Sequence, residues 1–273
     1  MLTVIIPANN ETRWISACLA ALLSSDAAAP AEVEIIVSAN ACADDTAARA
    51  GAQASAAAAR GWTLRVIDRP EPGKPGALDA GDAAARWPAR VYVDADVTVA
   101  PDLLGQLARA LAPSAPRYAS GRLVITGDGW VSRRYARLWA RLPFMTGVPG
   151  CGLFAVNAAG RSRWGNWPGI IADDLFARLH FTPSERIGVA AGYRWPIAEG
   201  FGALVRVRRR QDAGVAELSR LYPALMPNED TPGTGLTGLA RLALGDPLGF
   251  AAYGAVSAAV RMGPANGGWT RGR

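Results

Sequence analysis

Asp94 and Asp96 stand one residue apart, directly after the apolar run Val91-Tyr92-Val93. Two carboxylates at that spacing beyond a buried strand can grip a hard divalent cation and, through it, a diphosphate, because such ions leave part of their oxygen shell to substrate phosphates. An acidic turn is the competing reading, since aspartate also favours turns. Farther on, Asp173 and Asp174 precede Leu175, Phe176 and Leu179 at helical spacing. They read as caps that suit the helix dipole, and a like-charged neighbour raises the proton affinity of one of the two. Lys74, in Gly73-Lys74-Pro75-Gly76, is the only lysine of the chain. A lone ammonium among glycines can meet phosphate; a solvated loop lysine is the alternative.

The elements that must position these groups alternate along the first hundred residues. A β-rich run over 2–7 leads through a polar loop into a helical pattern from about Thr12 to Leu23. Val33 to Val37 reads as a strand, 38–43 as a loop, and Asp44 or Asp45 as the cap of an alanine-rich helix reaching about Arg60. A third strand over 64–67, a loop over 70–75 and a helix over 76–86 precede the strand 91–93. This alternation predicts an α/β fold with a parallel sheet covered on both faces, its ligands beyond the carboxyl ends of the strands. Four loops then open on one side. Asn40 offers an amide to a base edge, and Glu11 can bond a ribose hydroxyl or the base. None of these loops carries a Gly-Xaa-Gly-Xaa-Xaa-Gly or a Walker-type Gly-Lys-Ser/Thr run, which removes the main support for dinucleotide oxidoreductases and phosphate-loop NTPases.

Four segments, Ile5 to Glu11, Ala39 to Thr46, Gly73 to Gly81 and Asp94-Ala95-Asp96, resemble in order the motifs of family 2 glycosyltransferases. The resemblance is continuous over about the first hundred residues and thinner to about Gly214. It implies a GT-A fold: a Rossmann-like, mostly parallel central sheet flanked by helices, with a C-terminal acceptor half and C-terminal helices. It further implies that Pro7, Ala8, Asn9, Glu11, Asn40, Lys74, Asp94 and Ala95 hold a nucleotide-diphosphate sugar. By the same match, Asp96 and Asp94 bind Mn or Mg, Asp174 is the base of an inverting transfer to a hydroxyl, and Asp173 positions acceptor or loop. Where many members have Asp-Asp-Gly-Ser, this chain has Ala39-Asn40-Ala41-Cys42, which leaves the nucleotide open. The activity implied is a metal-dependent hexosyl transfer in bacterial polysaccharide or glycolipid synthesis. Two alternatives stand beside it: a sugar-nucleotide nucleotidyltransferase, which should carry a Gly-Gly-rich basic loop after the first strand, and a non-catalytic member of a glycan-assembly complex.

The remaining signals are weaker. Arg206 to Gln211 puts four arginines in six positions, and Arg209 and Arg210 are candidates to clamp the diphosphate, against a solvated basic face. The Gln-Xaa-Xaa-Arg-Trp pattern of processive relatives is missing, which suggests one sugar per encounter. Pro149 to Val156 reads as a glycine-rich turn entering a strand. Trp164 and Trp167 can either stack on a sugar ring or plug a core, and His180 suits a core or surface role. Cys18, Cys42 and Cys151 have no disulfide-framework or zinc spacing. A net charge of +6 favours anionic partners, with no nucleic-acid module in view. We divide the 273 residues into a nucleotide-sugar-binding half over 1–112, an acceptor-binding and catalytic half over 113–262 and a disordered tail over 263–273. Without an export segment at Met1 the expected location is the cytoplasm. The basic helix Ser132 to Leu142 and the uncharged stretch Pro247 to Val260, too short to span a bilayer, leave peripheral contact with the inner membrane face open.

Overall fold

The computed structural model describes residues 1–262, so the expected tail over 263–273 lies outside the described residues. The first half runs β1 (Leu2–Ala8), α1 (Ile15–Leu23), β2 (Val33–Asn40), α2 (Thr46–Gly51), α3 (Ala54–Ala59), β3 (Thr63–Arg69), α4 (Lys74–Ala84), β4 (Arg90–Val93), β5 (Thr98–Val99) and α5 (Leu103–Ala110). The second runs β6 (Tyr118–Thr126), α6 (Trp130–Trp139), β7 (Leu153–Val156), α7 (Ala158–Arg161), α8 (Asp173–Leu179), β8 (Arg186–Pro196), α9 (Phe201–Leu221), α10 (Gly235–Gly245) and α11 (Pro247–Met262).

Every residue of β1 and β2 is buried, as expected of parallel strands covered on both faces, and the apolar runs Val4 to Ile6 and Ile35 to Val37 follow from that. The buried polar exceptions include Thr3, whose hydroxyl donates to Glu34 at 3.1 Å. The edge strand β3 keeps exposed positions. The strands form one sheet in the order β3-β2-β1-β4-β7-β6-β8-β5. The first four are mutually parallel, with Ile5 beside Ile36 on one side and Tyr92 on the other. β7 is antiparallel to β4 and to β6, β6 and β8 are parallel, and β5 closes the far edge antiparallel to β8. Because β2 and β4 flank β1 on opposite sides, their connections diverge there and leave a crevice at the carboxyl ends, where ligands of open α/β sheets bind. The two halves thus share one sheet, and β5 of the first half sits beyond strands of the second.

One face of the sheet packs Val4, Ile6, Ile35 and Val37 against Ile15, Leu19, Leu103 and Leu107. The other packs Ile5, Tyr92 and Phe154 against Leu78, Trp167 and Phe176. Each such side chain contributes about 1.5–3 kcal/mol on burial. A third cluster, with Tyr135, Trp139, Ile197, Leu204 and Val256, joins α6, α9 and α11.

Two elements differ from the sequence reading. The helix expected from Asp44 to Arg60 is split into α2 and α3, and the break follows Gly51, a poor helix former. α1 begins at Ile15 rather than Thr12, because Trp14 and Ile15 both donate to the Glu11 carbonyl (2.9 Å each) in a preceding turn. Asp44, not Asp45, supplies the side-chain cap: its carboxylate accepts from the Thr46 N–H at 3.0 Å and the Thr12 N–H at 3.2 Å.

Candidate active site

The loops after β1 and β2 are latched to each other. Asn10 and Ala41 take the left-handed conformation, with φ of 54° and 45°, a strained choice for non-glycine residues that persists where surroundings enforce it. Here the Asn9 amide donates to the carbonyls of Asn40 and Ala41, and the Ala43 N–H donates to Asn10 Oδ1 at 2.7 Å. Asn40 is a brace. Its Nδ2 donates to the Ala8 carbonyl at 2.8 Å and its Oδ1 accepts from the Gly73 N–H at 3.2 Å. That second bond ties the β2 loop to the start of α4, where Gly73, at φ 122°, turns the chain in a way a side chain would resist. Lys74 is the first residue of α4.

After β4 the chain makes a tight turn, with Val97 N donating to the Asp94 carbonyl at 3.0 Å, and the Asp94 N–H bonds the Gly152 carbonyl at 2.8 Å. Asp94 and Asp96 both line the resulting cleft. Across it, Asp173 and Asp174 form the first turn of α8. Lys74 spans the gap: its Nζ lies 3.0 Å from Asp94 Oδ1 and 2.9 Å from Asp173 Oδ2. Desolvation opposes the Lys74 charge, but Asp173, Asp94 and Asp174 outweigh it and hold the ammonium above its ordinary value. Burial pushes the Asp174 carboxyl up to about 6 and the Asp173 charge adds to this, while Lys74 and the Leu175 N–H, 2.8 Å from Oδ1, pull the other way. An acid near 6 is largely ionised at neutral pH yet retains affinity for a proton, as general-base chemistry requires.

The cleft has a volume of about 870 Å³. It gathers Pro7, Asn9, Glu11, Asn40, Lys74, Asp94, Ala95, Asp96, Asp173, Asp174 and Arg210. Two candidates lie elsewhere. Ala8 is buried in β1 and offers only its carbonyl, to Asn40. Arg209 does not line the cleft; its Nη2 donates to the Ala259 carbonyl of α11 at 2.7 Å. Arg208 lines it instead, held by the Tyr253 hydroxyl at 2.7 Å and Asp212 at 2.8 Å. Leu204, Val207, Arg208, Gln211 and Val215 form one stripe of α9 toward the cleft. Reading 201–221 as a helix would have pointed to Arg208.

Trp164 and Trp167 are buried among Tyr92, Phe154 and Phe176, so they plug the core behind the acid pair and do not line the cleft. Trp167 Nε1 donates to Asp82 Oδ2 at 2.8 Å; Asp82 also accepts from the Tyr92 hydroxyl and pairs with Arg90 and Arg161. This part-buried hub anchors the loop that carries Asp173 to α4 and β4, and nothing in the sequence marked Asp82. Trp139, Phe144, Trp195 and Ile197 form an apolar wall in the same cleft, also absent from the sequence reading because they come from two distant segments, 139–144 and 195–197. His180 caps the end of α8, with Nδ1 2.8 Å from the Phe176 carbonyl.

Among the described residues, no cluster of three or more His, Cys, Asp or Glu side chains forms a metal cage. Two strand-end carboxylates facing open cleft suit the other mode of binding, in which one or two carboxylates and substrate phosphates share a hard cation.

A mostly parallel sheet with this switch point, paired acids across the cleft and a helical C-terminal half fit an enzyme of the nucleotide-sugar-binding GT-A type. The family model for Glycosyl transferase family 2 matches residues 3–174, and the chain belongs to that family. No curated protein sequence matches it. Among solved structures, the mannosyltransferase PcManGT from Pyrobaculum calidifontis, in complex with GDP-Man and Mn2+, superimposes with a TM-score of 0.59 at 22% identity over 96% of this chain and 76% of that one. TarS from S. aureus in complex with UDP-GlcNAc gives 0.55 at 14% identity over 95% and 81%. Glucosyl-3-phosphoglycerate synthase from Mycobacterium tuberculosis, in complex with Mn2+, UDP and glucosyl-3-phosphoglycerate, gives 0.53 at 20% identity over 85% and 81%. At these identities the likeness establishes the GT-A fold.

Proposed function

We propose that the chain transfers a sugar from a nucleotide-diphosphate sugar to a hydroxyl acceptor with inversion at the anomeric carbon. The observation that carries this reading is the bridge of Lys74 between Asp94 and Asp173, which sets the strand-end acids and the α8 acids on one cleft. Asp174 takes the acceptor proton as the hydroxyl oxygen forms its bond to the anomeric carbon, and the bond from that carbon to the diphosphate oxygen breaks on the opposite face. The proton ends on the Asp174 carboxylate and the electron pair on the departing nucleoside diphosphate. Asp173 positions Lys74, and Lys74, Arg208 and Arg210 supply positive charge toward the leaving group. Glu11 and the latched β1 and β2 loops hold the nucleoside, with Asn40 shaping the loop rather than reading the base. Asp96 and Asp94 would hold Mn or Mg, whose chemistry here is neutralisation of the diphosphate. The nucleotide-sugar and Mn2+ complexes of the structural relatives support this reading.

The test joins binding to turnover. A nucleotide sugar should raise the melting temperature more with Mn2+ than without, and transfer should release nucleoside diphosphate. Asp174→Asn should keep that stabilisation and lose at least about a hundredfold in turnover, the usual scale for a general base. Release of pyrophosphate would instead mark a nucleotidyltransferase, and metal-dependent donor binding without transfer or hydrolysis a non-catalytic partner.

A further inference from the structure

The outer helices carry a pattern that the proposed transfer does not use. α11 exposes Leu248, Ala251, Ala255 and Ala258, spaced so that they fall on one side of the helix. A surface helix ordinarily turns charged or polar residues outward; this exposed stripe has none. α10 buries none of its residues. Its Leu236 is 86% exposed, Leu239 42% and Leu244 83%, and the three lie within roughly 140° of arc at 3.6 residues per turn. Single exposed leucines need no explanation, but three on one helix beside an apolar stripe on the next form a patch of the kind that meets a partner.

The exposed charges carried by α6, α10 and α11 themselves have one sign; the exposed acids Asp128 and Glu199, beside the start of α6, and Asp212, on α9, lie outside them. No acid occurs between 129 and 172. Between 235 and 262 the one acid is Asp246, which is buried and lies 3.6 Å from Arg134. The exposed charges of this helical layer are arginines: Arg133, Arg137 and Arg141 at every fourth position along and just beyond α6, Arg241 on α10 and Arg261 on α11. The layer is joined as a unit, with Tyr135 of α6 stacked on Tyr253 of α11 at 5.1 Å between ring centroids.

We infer that the α6, α10 and α11 layer docks on an anionic lipid bilayer, its leucines entering the boundary between headgroups and acyl chains and its arginines meeting the lipid phosphates. A second copy of the chain is a poor fit, because a two-fold contact through this layer would set arginines against arginines. No helix among the described residues is long and apolar enough to cross a membrane, so the contact is peripheral. α6 shares the cleft wall through Tyr135 and Trp139, which makes the docking layer continuous with the site.

Flotation of the full chain with phosphatidylcholine vesicles, with and without phosphatidylglycerol, tests this without reference to transfer. The chain should float with the phosphatidylglycerol vesicles, weakly with phosphatidylcholine alone, and less at high salt. The double substitution Leu236→Asp/Leu244→Asp should lower the partition by about tenfold or more, and Arg137→Glu or Arg241→Glu by at least about fivefold each, with melting temperatures near that of the parent. Absence of binding to the phosphatidylglycerol vesicles overturns the inference. So does binding that folded leucine and arginine variants retain. A lipid-free dimer in sedimentation velocity that the leucine double substitution dissociates would assign the layer to self-association and overturn it as well. Should the leucine double variant fail to fold, the two arginine variants decide the question alone.

Discussion

Replacing Lys74 by methionine keeps the stem and removes the cation from between Asp94 and Asp173. The ammonium is one of the groups that hold the Asp174 carboxyl down against burial and the Asp173 charge. Its loss should therefore move the acidic limb of the kcat/KM profile to higher pH. In the parent the limb should fall near 6, the value to which Asp174 is raised, and it belongs to the interacting acids rather than to one carboxyl. With Asp174 as the proposed base the ionised form is the active one, so activity should be full above that pH and lost as pH falls through it. A rise of one unit corresponds to about 1.4 kcal/mol and takes the protonated fraction at pH 7 from about a tenth to about half. Protonation alone then costs about twofold at pH 7 and about tenfold well below the limb. Any larger deficit at high pH measures the lost support of the diphosphate. The Lys74 side chain is 36% exposed, so its two ion pairs should be worth less than a fully buried pair, about 1–2 kcal/mol in stability. Initial rates across pH for the parent, Lys74→Met and Lys74→Arg give the answer, with the arginine variant expected near the parent limb. A methionine variant whose limb coincides with the parent's, or lies at lower pH, would refute the electrostatic assignment of this site.

Asp96→Asn should abolish the Mn2+-dependent part of donor stabilisation in a thermal-shift assay while leaving the unliganded melting temperature within a few degrees. Gly152→Ala places a Cβ 2.8 Å from Trp195 Cδ1 at a residue with φ 72°; it should cost roughly 1–3 kcal/mol and lower the melting temperature by several degrees. Because the Gly152 carbonyl holds the Asp94 N–H, activity should fall with it. Arg209→Ala should lower stability but leave donor affinity unchanged, whereas Arg210→Ala should weaken donor binding severalfold, read by the donor concentration that half-saturates the thermal shift.

The first half of the fold was legible because the middles of β1, β2 and β4, Val4 to Ile6, Ile35 to Val37 and Val91 to Val93, are buried on both faces and read as continuous apolar runs, while the loops between the strands are polar. That contrast survives in a single sequence. β6 and β8 gave a weaker signal: β6 carries the β-rich run Leu123 to Thr126 but opens on Tyr118-Ala119-Ser120-Gly121, and β8 has Val189-Ala190-Ala191-Gly192 at its middle, both too small and mixed to read as strands. The pair β5 is only two residues long. The acid pairs and Lys74 stood out by residue type, and the structure brings them onto one cleft. Arg209 was chosen from a run of like residues without a helical register, and the register is what turns it away from the cleft and Arg208 toward it. Asp82 was invisible because its partners Arg90, Tyr92, Arg161 and Trp167 converge only after folding.

Immediately beyond Asp96 the chain delivers Thr98 and Val99 to β8, past β7 and β6, at the opposite margin of the sheet. The clasp interlocks the segment that bears the strand-end acids with the segment that bears the apolar wall. A fragment ending near residue 112 would keep β1 beside β4 but lose β7 on its other side and β8, the partner of β5, and should not fold alone. Chimeras that graft a foreign second half onto this first half would have to rematch two ladders, β4 with β7 and β5 with β8, so the cleft is reshaped more readily by altering α9 and the loops than by exchanging modules.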